Sequence, residues 1–117
     1  MIYVGNDLVE VERIQTMIEE WADRFLGRIF TRDEIAYCQR QARPAVHFAG
    51  RFAAKEAVKK ALYSSGRTEP LLFKQIEVNR GPNGAPLVSL TGLGERIQVS
   101  ISHTTRYAVA TALFESP

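Results

Sequence analysis

Cysteine is almost absent: Cys38 stands alone among 117 residues. An intrachain disulfide is therefore excluded, and no cysteine pair exists to hold a zinc ion. Long apolar runs are missing too, because charged residues interrupt every hydrophobic stretch before the roughly 20 residues that a bilayer crossing requires. The opening stretch from Met1 to Asp7 has neither the basic region nor the apolar run of an export signal. These absences point to a soluble protein of a reducing cytoplasm, away from membranes. Charge of one sign is scarce as well, since 15 Lys and Arg against 13 Asp and Glu leave +2. That excess is too small to mark a nucleic-acid binder, although it favours acidic or phosphate-rich partners. Repeats, low-complexity tracts and linkers are lacking, and the length suits one domain.

What is present is a 45% hydrophobic content, enough for a core. The β-branched stretch Ile2 to Val11 predicts a strand, broken at Gly5-Asn6-Asp7. Val11, Ile14, Met17, Ile18, Trp21, Phe25 and Leu26 recur at helical spacing and predict one amphipathic helix over 11–26, ended by Gly27. Thr31 and Glu34 have capping-box spacing, which opens a short helix to about Arg40. Pro44 opens the longest helix, with Val46, Ala49, Ala53, Ala57, Val58 and Ala61 on one apolar face up to Ser64-Ser65-Gly66. The second half changes period. Strands are predicted over 72–79, 85–90, 97–102 and 107–114, with residues 80–84 as a hairpin turn. The fold expected is α+β, a small single domain with an antiparallel sheet packed against a long helix.

Three places could carry chemistry. On the long helix Glu56 and Lys60 lie one turn apart at the edge of the apolar stripe, while Lys55 and Lys59 are expected to point further outward. Such a carboxylate can hold a hard cation, and the ammonium can neutralise phosphate oxygens on it; an ordinary helical Glu–Lys pair has the same spacing. Asp7 is a second oxygen ligand for a hard cation, or else a cap on the following turn, with Glu10 and Glu12 competing. His103, with Ser102 beside it, ends a strand where free amides and hydroxyls can meet a phosphate, or is a solvated loop histidine. His47 and Cys38 read as structural, because neither has a ligand-spaced or activating neighbour. Arg13, Arg24 and Arg28 belong to a basic bias of the helical half, either a solvated face or a dock for an acidic protein.

Gly5-Asn-Asp-Leu-Val-Glu-Val-Glu-Arg-Ile14, Arg51-Phe-Ala-Ala-Lys-Glu-Ala57 and Ile101-Ser-His-Thr104 occur together and in this order. Together they resemble the holo-acyl-carrier-protein synthases, the short form of the 4'-phosphopantetheinyl transferase superfamily. Phe30 to Glu34, Asn83 to Pro86 and Tyr107 to Ala110 extend the likeness over nearly the whole chain. The resemblance implies transfer of the phosphopantetheine arm of coenzyme A to a serine of an apo acyl carrier protein, from fatty-acid or polyketide synthesis, with adenosine 3',5'-bisphosphate leaving. It implies magnesium, with manganese as the other candidate ion, held by Asp7 and Glu56 against the coenzyme's pyrophosphate. Lys60, His103 and Ser102 would contact phosphates, and Asn83, Gly84 and Pro86 would border the adenine-ribose end. Glu56 is then the natural acceptor of the serine proton. A homotrimer is also implied, with the coenzyme between adjacent subunits and Arg13, Arg24 and Arg28 facing the carrier. Tyr3 replaces the first glycine of the family's usual entry, and residues 91–96 stand where the family usually carries a longer helical insertion. Two other readings use the same residues: a metal-dependent nucleotide phosphohydrolase, and a non-catalytic carrier-binding module.

Overall fold

Alternation of small or apolar residues with exposed ones organises the sheet. The computed structural model describes all 117 residues, in the order β1 (Ile2–Glu10), α1 (Val11–Trp21), α2 (Asp23–Ile29), α3 (Arg32–Gln39), α4 (Pro44–Ser64), β2 (Glu77–Arg80), β3 (Pro86–Ser89), β4 (Ile97–His103) and β5 (Tyr107–Glu115). Strands β1, β5 and β4 form an antiparallel sheet in that order, and β2 and β3 form a separate hairpin. On the inner face Gly5, Val9, Ala108, Ala110, Ala112 and Phe114 are buried, and α4 lies across them. Alanines on both sides let helix and sheet approach closely: α4 packs on β1 and β5, and its Ala49, Ala53, Ala54, Ala57 and Ala61 are all essentially buried. The approach is tightest at Gly5, where a Cβ would sit 1.8 Å from the carbonyl oxygen of Ala57. One hydrophobic core joins α4 and both sheets. No helix is long and apolar enough to cross a membrane.

The expected α+β arrangement, long helix against antiparallel sheet, is therefore present, and so is the hairpin, its turn spanning 81–85 where 80–84 is expected. Four local expectations are corrected. Strand β1 is unbroken at Gly5-Asn6-Asp7, because every residue from Ile2 to Glu10 pairs in register with β5. The helix expected over 11–26 is two helices, divided at Ala22 with φ 42°, and Gly27 lies inside α2 rather than ending it. Residues Phe73–Gln75 make a single 3-10 turn, so β2 begins only at Glu77. Lys55 does not point outward. It is fully buried against Glu34, while Lys59 lies with its ammonium 3.9 Å from the centre of the Phe73 ring. Periodicity identifies which helix positions are apolar, but not that a lysine among them has found a buried partner.

The outer face of the three-stranded sheet carries a run of exposed apolar groups. Ile2, Val4 and Leu8 of β1 alternate outward, and Tyr107 and Leu113 of β5 share that face. A sheet face of this kind is uncommon on an isolated monomer.

Candidate active site

The α4–β1 crossing at Gly5 and Ala57 places Asp7, two residues along the strand, near Glu56, one residue back on the helix. Asp7 belongs to the inner face of β1, opposite Ala110, and its side chain is only 17% exposed. Glu56 is half-buried, and both carboxylates line one cleft of about 390 Å³ with Glu10, Arg13, Met17, Phe25, Phe52 and Tyr107 among its walls. Lys60, one turn beyond Glu56, reaches across to the strand. Its Nζ donates to the Asn6 carbonyl at 2.9 Å and to Asp7 Oδ1 at 3.1 Å. The ordinary Glu56–Lys60 pair is thus not formed; the half-exposed ammonium partners Asp7 instead.

Arg24 and Arg28 lie elsewhere, beside Met17, Trp21, Phe25 and Ile29 in an apolar groove of about 340 Å³ along α1 and α2. Met17 and Phe25 belong to both walls, so this groove and the carboxylate cleft are neighbours. Arg13 stands in the cleft itself and not in the groove.

His103 ends β4 on the sheet's inner face and belongs to a second cluster. Its ring lies 6.0 Å from that of His47, and the His47 ring meets Tyr37 edge-on at 6.0 Å. The Arg51 guanidinium rests 4.1 Å over the Tyr37 ring, and Arg80 donates to the Tyr37 hydroxyl at 3.4 Å. Neither guanidinium is in a salt bridge, and Arg51 Nε is buried with no acceptor. Burial holds the His47 imidazole below the usual histidine range, with Arg51, His103 and Arg80 acting in the same direction. A concentration of positive groups around an unpaired buried donor is the chemistry of an anion site. The turn bearing Asn83 and Gly84, followed by Pro86, extends from this cluster through Arg80; Gly84 has φ 81°, and a Cβ there would lie 2.9 Å from Arg80 Nη2. Ser102 points to the opposite face of β4 from His103, so the two flank the strand end rather than side by side.

His47, Arg51, Tyr37 and Arg80 are not among the site residues expected from sequence; His47, read there as structural, lies beside His103. The available signal was helical phase: His47 and Arg51 are one turn apart on α4. The same phase separates the two clusters, because nine positions between His47 and Glu56 at about 100° each put them on opposite sides of the helix. Cys38 is inert as expected, buried and with its thiol pushed up to about 12 by desolvation.

A family model described as the 4'-phosphopantetheinyl transferase superfamily matches residues 3–112. The chain is 43% identical to the holo-[acyl-carrier-protein] synthase of Protochlamydia amoebophila over 119 residues, covering 97% of each chain, and 45% identical to that of Thermodesulfovibrio yellowstonii, covering 92% of each. Among solved structures it is similar to a holo-(acyl-carrier-protein) synthase of Bacillus anthracis in complex with CoA (3',5'-ADP), at 33% identity and TM-score 0.80 over 98% of this chain and 96% of that one. It is also similar to the Helicobacter pylori holo-[acyl-carrier-protein] synthase in complex with coenzyme A, at 31% identity and TM-score 0.81 over 96% and 99%. Sequence likeness at this level along almost the full length of both chains, with the same fold, means that this chain belongs to the holo-[acyl-carrier-protein] synthases of the 4'-phosphopantetheinyl transferase superfamily.

Proposed function

We propose that the chain catalyses magnesium-dependent transfer of 4'-phosphopantetheine from coenzyme A to a serine hydroxyl of an apo acyl carrier protein, releasing adenosine 3',5'-bisphosphate. The observation that carries this is the shared cleft of Asp7 and Glu56, next to an apolar groove bordered by Arg24 and Arg28. An acidic carrier laid along that groove would present its serine to the carboxylates, with Arg13 beside them in the cleft.

The donor set fits the metal. Asp7 and Glu56 offer hard oxygens, and no group of three or more His, Cys, Asp and Glu is gathered anywhere in the chain. Magnesium takes one or two protein carboxylates and leaves its other positions to water and phosphate; manganese accepts the same ligands. Bound there, the ion would neutralise charge on the pyrophosphate oxygens of coenzyme A. The reaction forms a bond between the serine Oγ and the phosphorus next to pantetheine, and breaks the bond from that phosphorus to the bridging oxygen. Glu56 accepts the serine proton, directly or through water. Lys60 leaves Asp7 to donate to the phosphate oxygens, where charge accumulates as the adenosine moiety departs.

The second cluster suits the other end of the coenzyme. His103, His47, Arg51 and Arg80 offer cationic and donor groups beside the turn of Asn83, Gly84 and Pro86, which is where a ribose-borne phosphate would be held next to adenosine. Because the carboxylate cleft and this cluster occupy opposite sides of α4, one coenzyme joins the cleft of one copy to the His103 cluster of the next. The exposed apolar face of β1 and β5 supplies surface for such self-assembly, and a homotrimer closes it.

Intact-mass analysis of an apo acyl carrier protein, incubated with the enzyme, coenzyme A and magnesium, should show a gain of one phosphopantetheine. Cleavage of coenzyme A with the carrier unmodified would indicate a hydrolase instead, and no reaction with several carriers would leave only a binding module.

A further inference from the structure

Glu34 and Lys55 are fully buried, and together they form an ion pair of 2.7 Å. Lys55 Nζ also donates to the carbonyls of Phe73, at 3.1 Å, and Ile76, at 2.5 Å, so all three ammonium hydrogens have acceptors. Glu34 accepts in turn from the Thr31 and Val78 amides, each at 2.7 Å. The pair thus joins α3, α4 and the segment leading into β2 at one dry point. Buried ion pairs of this kind commonly add little stability over a well-packed apolar replacement. Their geometry is what an apolar replacement does not reproduce.

Each element joined by the pair carries one wall of the His103 cluster a short, rigid step away. Tyr37 follows Glu34 by three residues on α3, Arg51 precedes Lys55 by one turn on α4, and Arg80 follows Val78 by two on β2. All three steps keep the same face of helix or strand. At the far end of those steps Arg51 stacks on Tyr37, Arg80 bonds the Tyr37 hydroxyl, and Arg51 Nε has no acceptor.

We infer that the Glu34–Lys55 pair is a positioning device for the His103 cluster: it fixes α3 and β2 against α4 in the arrangement that brings Tyr37, Arg51 and Arg80 onto one anion. The inference rests on the proposed assignment of that cluster to the ribose-end phosphate of coenzyme A. A cluster held ready in this way orders no side chains when the anion arrives, which favours binding. The pair touches neither the substrate nor the carboxylates of the cleft, so its effect belongs to KM for the coenzyme and not to kcat.

Steady-state kinetics of K55M and of the neutral, volume-matched E34Q/K55M, with coenzyme A and with 3'-dephospho-coenzyme A, test this. In E34Q/K55M the glutamine carbonyl can still accept from Val78, which keeps a folded variant in hand should K55M prove unstable; melting curves are read in parallel. The expected result is a rise of about tenfold or more in KM for coenzyme A, the scale of losses seen when supporting residues are removed. The turnover number should stay within about threefold of wild type, and kinetics with the dephospho substrate should be unchanged. Equal losses on both substrates, a fall in kcat alone, or a lowered melting temperature with unaltered kinetics would each overturn the inference. Wild-type enzyme that used both coenzymes equally would sink the reading of the cluster, and the inference with it. A discriminating wild type with indifferent variants would sink the inference alone.

Discussion

Glu56 is assigned two tasks, cation ligand and proton acceptor, and both need its charge. Replacement by Gln keeps the shape and removes that charge, so single-turnover transfer to an apo carrier should slow by about 10²–10⁴-fold at saturating magnesium. Near-normal rates would remove both roles. His47 makes a different prediction, through protons. Its imidazole is held below the usual histidine range by burial first, with Arg51, His103 and Arg80 acting in the same direction. The folded chain therefore carries fewer protons on this ring than the unfolded chain in the window below about 6.5. Stability linked to His47 is present above that window and is lost as pH falls through it. Binding of an anion beside the ring reverses the preference and draws a proton onto it. Calorimetry of coenzyme A binding in buffers of different ionisation enthalpy should show proton uptake near pH 6 that is absent in His47→Phe. At this scale Asp7, Glu56, Lys60 and His103 stand out in the sequence as candidates because motifs mark them. Arg51, Arg80 and Tyr37 were not, because a guanidinium on a helix face looks solvated until a second element covers it.

Two backbone positions show how elements are set against each other. Gly5 lies where β1 crosses α4, with a would-be Cβ 1.8 Å from the Ala57 carbonyl oxygen. Gly5→Ala must push the strand off the helix, at a cost of about 1–3 kcal/mol. Because Asp7 and Glu56 flank this crossing, the same change should weaken manganese binding, measured by electron paramagnetic resonance, beyond what the loss of stability explains. Ala22 divides α1 from α2 with φ 42°, a conformation that favours glycine. Ala22→Gly should therefore raise stability by about 1 kcal/mol in urea titration, leaving transfer unchanged. The amphipathic period of residues 11–26 was real, but it continues across a turn, and only the backbone angle marks the break. The capping box at Thr31 and the Pro44 start were readable from sequence because both are local: each satisfies or removes backbone donors within one turn.

For the whole molecule, the separation of the two clusters by α4 has a direct consequence. If one coenzyme spans two copies, Glu56→Gln and His103→Ala homo-oligomers should each be nearly inactive, while subunits mixed through a denaturation and refolding cycle should regain part of the transfer rate. An unmixed blend should stay inactive, and no recovery on mixing would place both clusters' work within one chain. The sequence by itself determined the fold class, the long helix, the hairpin and the catalytic candidates, since period, caps and short motifs are properties of neighbouring residues. Tertiary structure alone decided the rest: that Asp7 belongs to an unbroken strand and pairs with Lys60, that Lys55 is buried on Glu34, and that His47, Arg51 and Arg80 gather around His103. Those facts depend on which surfaces lose water when α3 and α4 meet the strands. The free energy of a charge or a ring depends on that local environment, which residues distant in sequence create together.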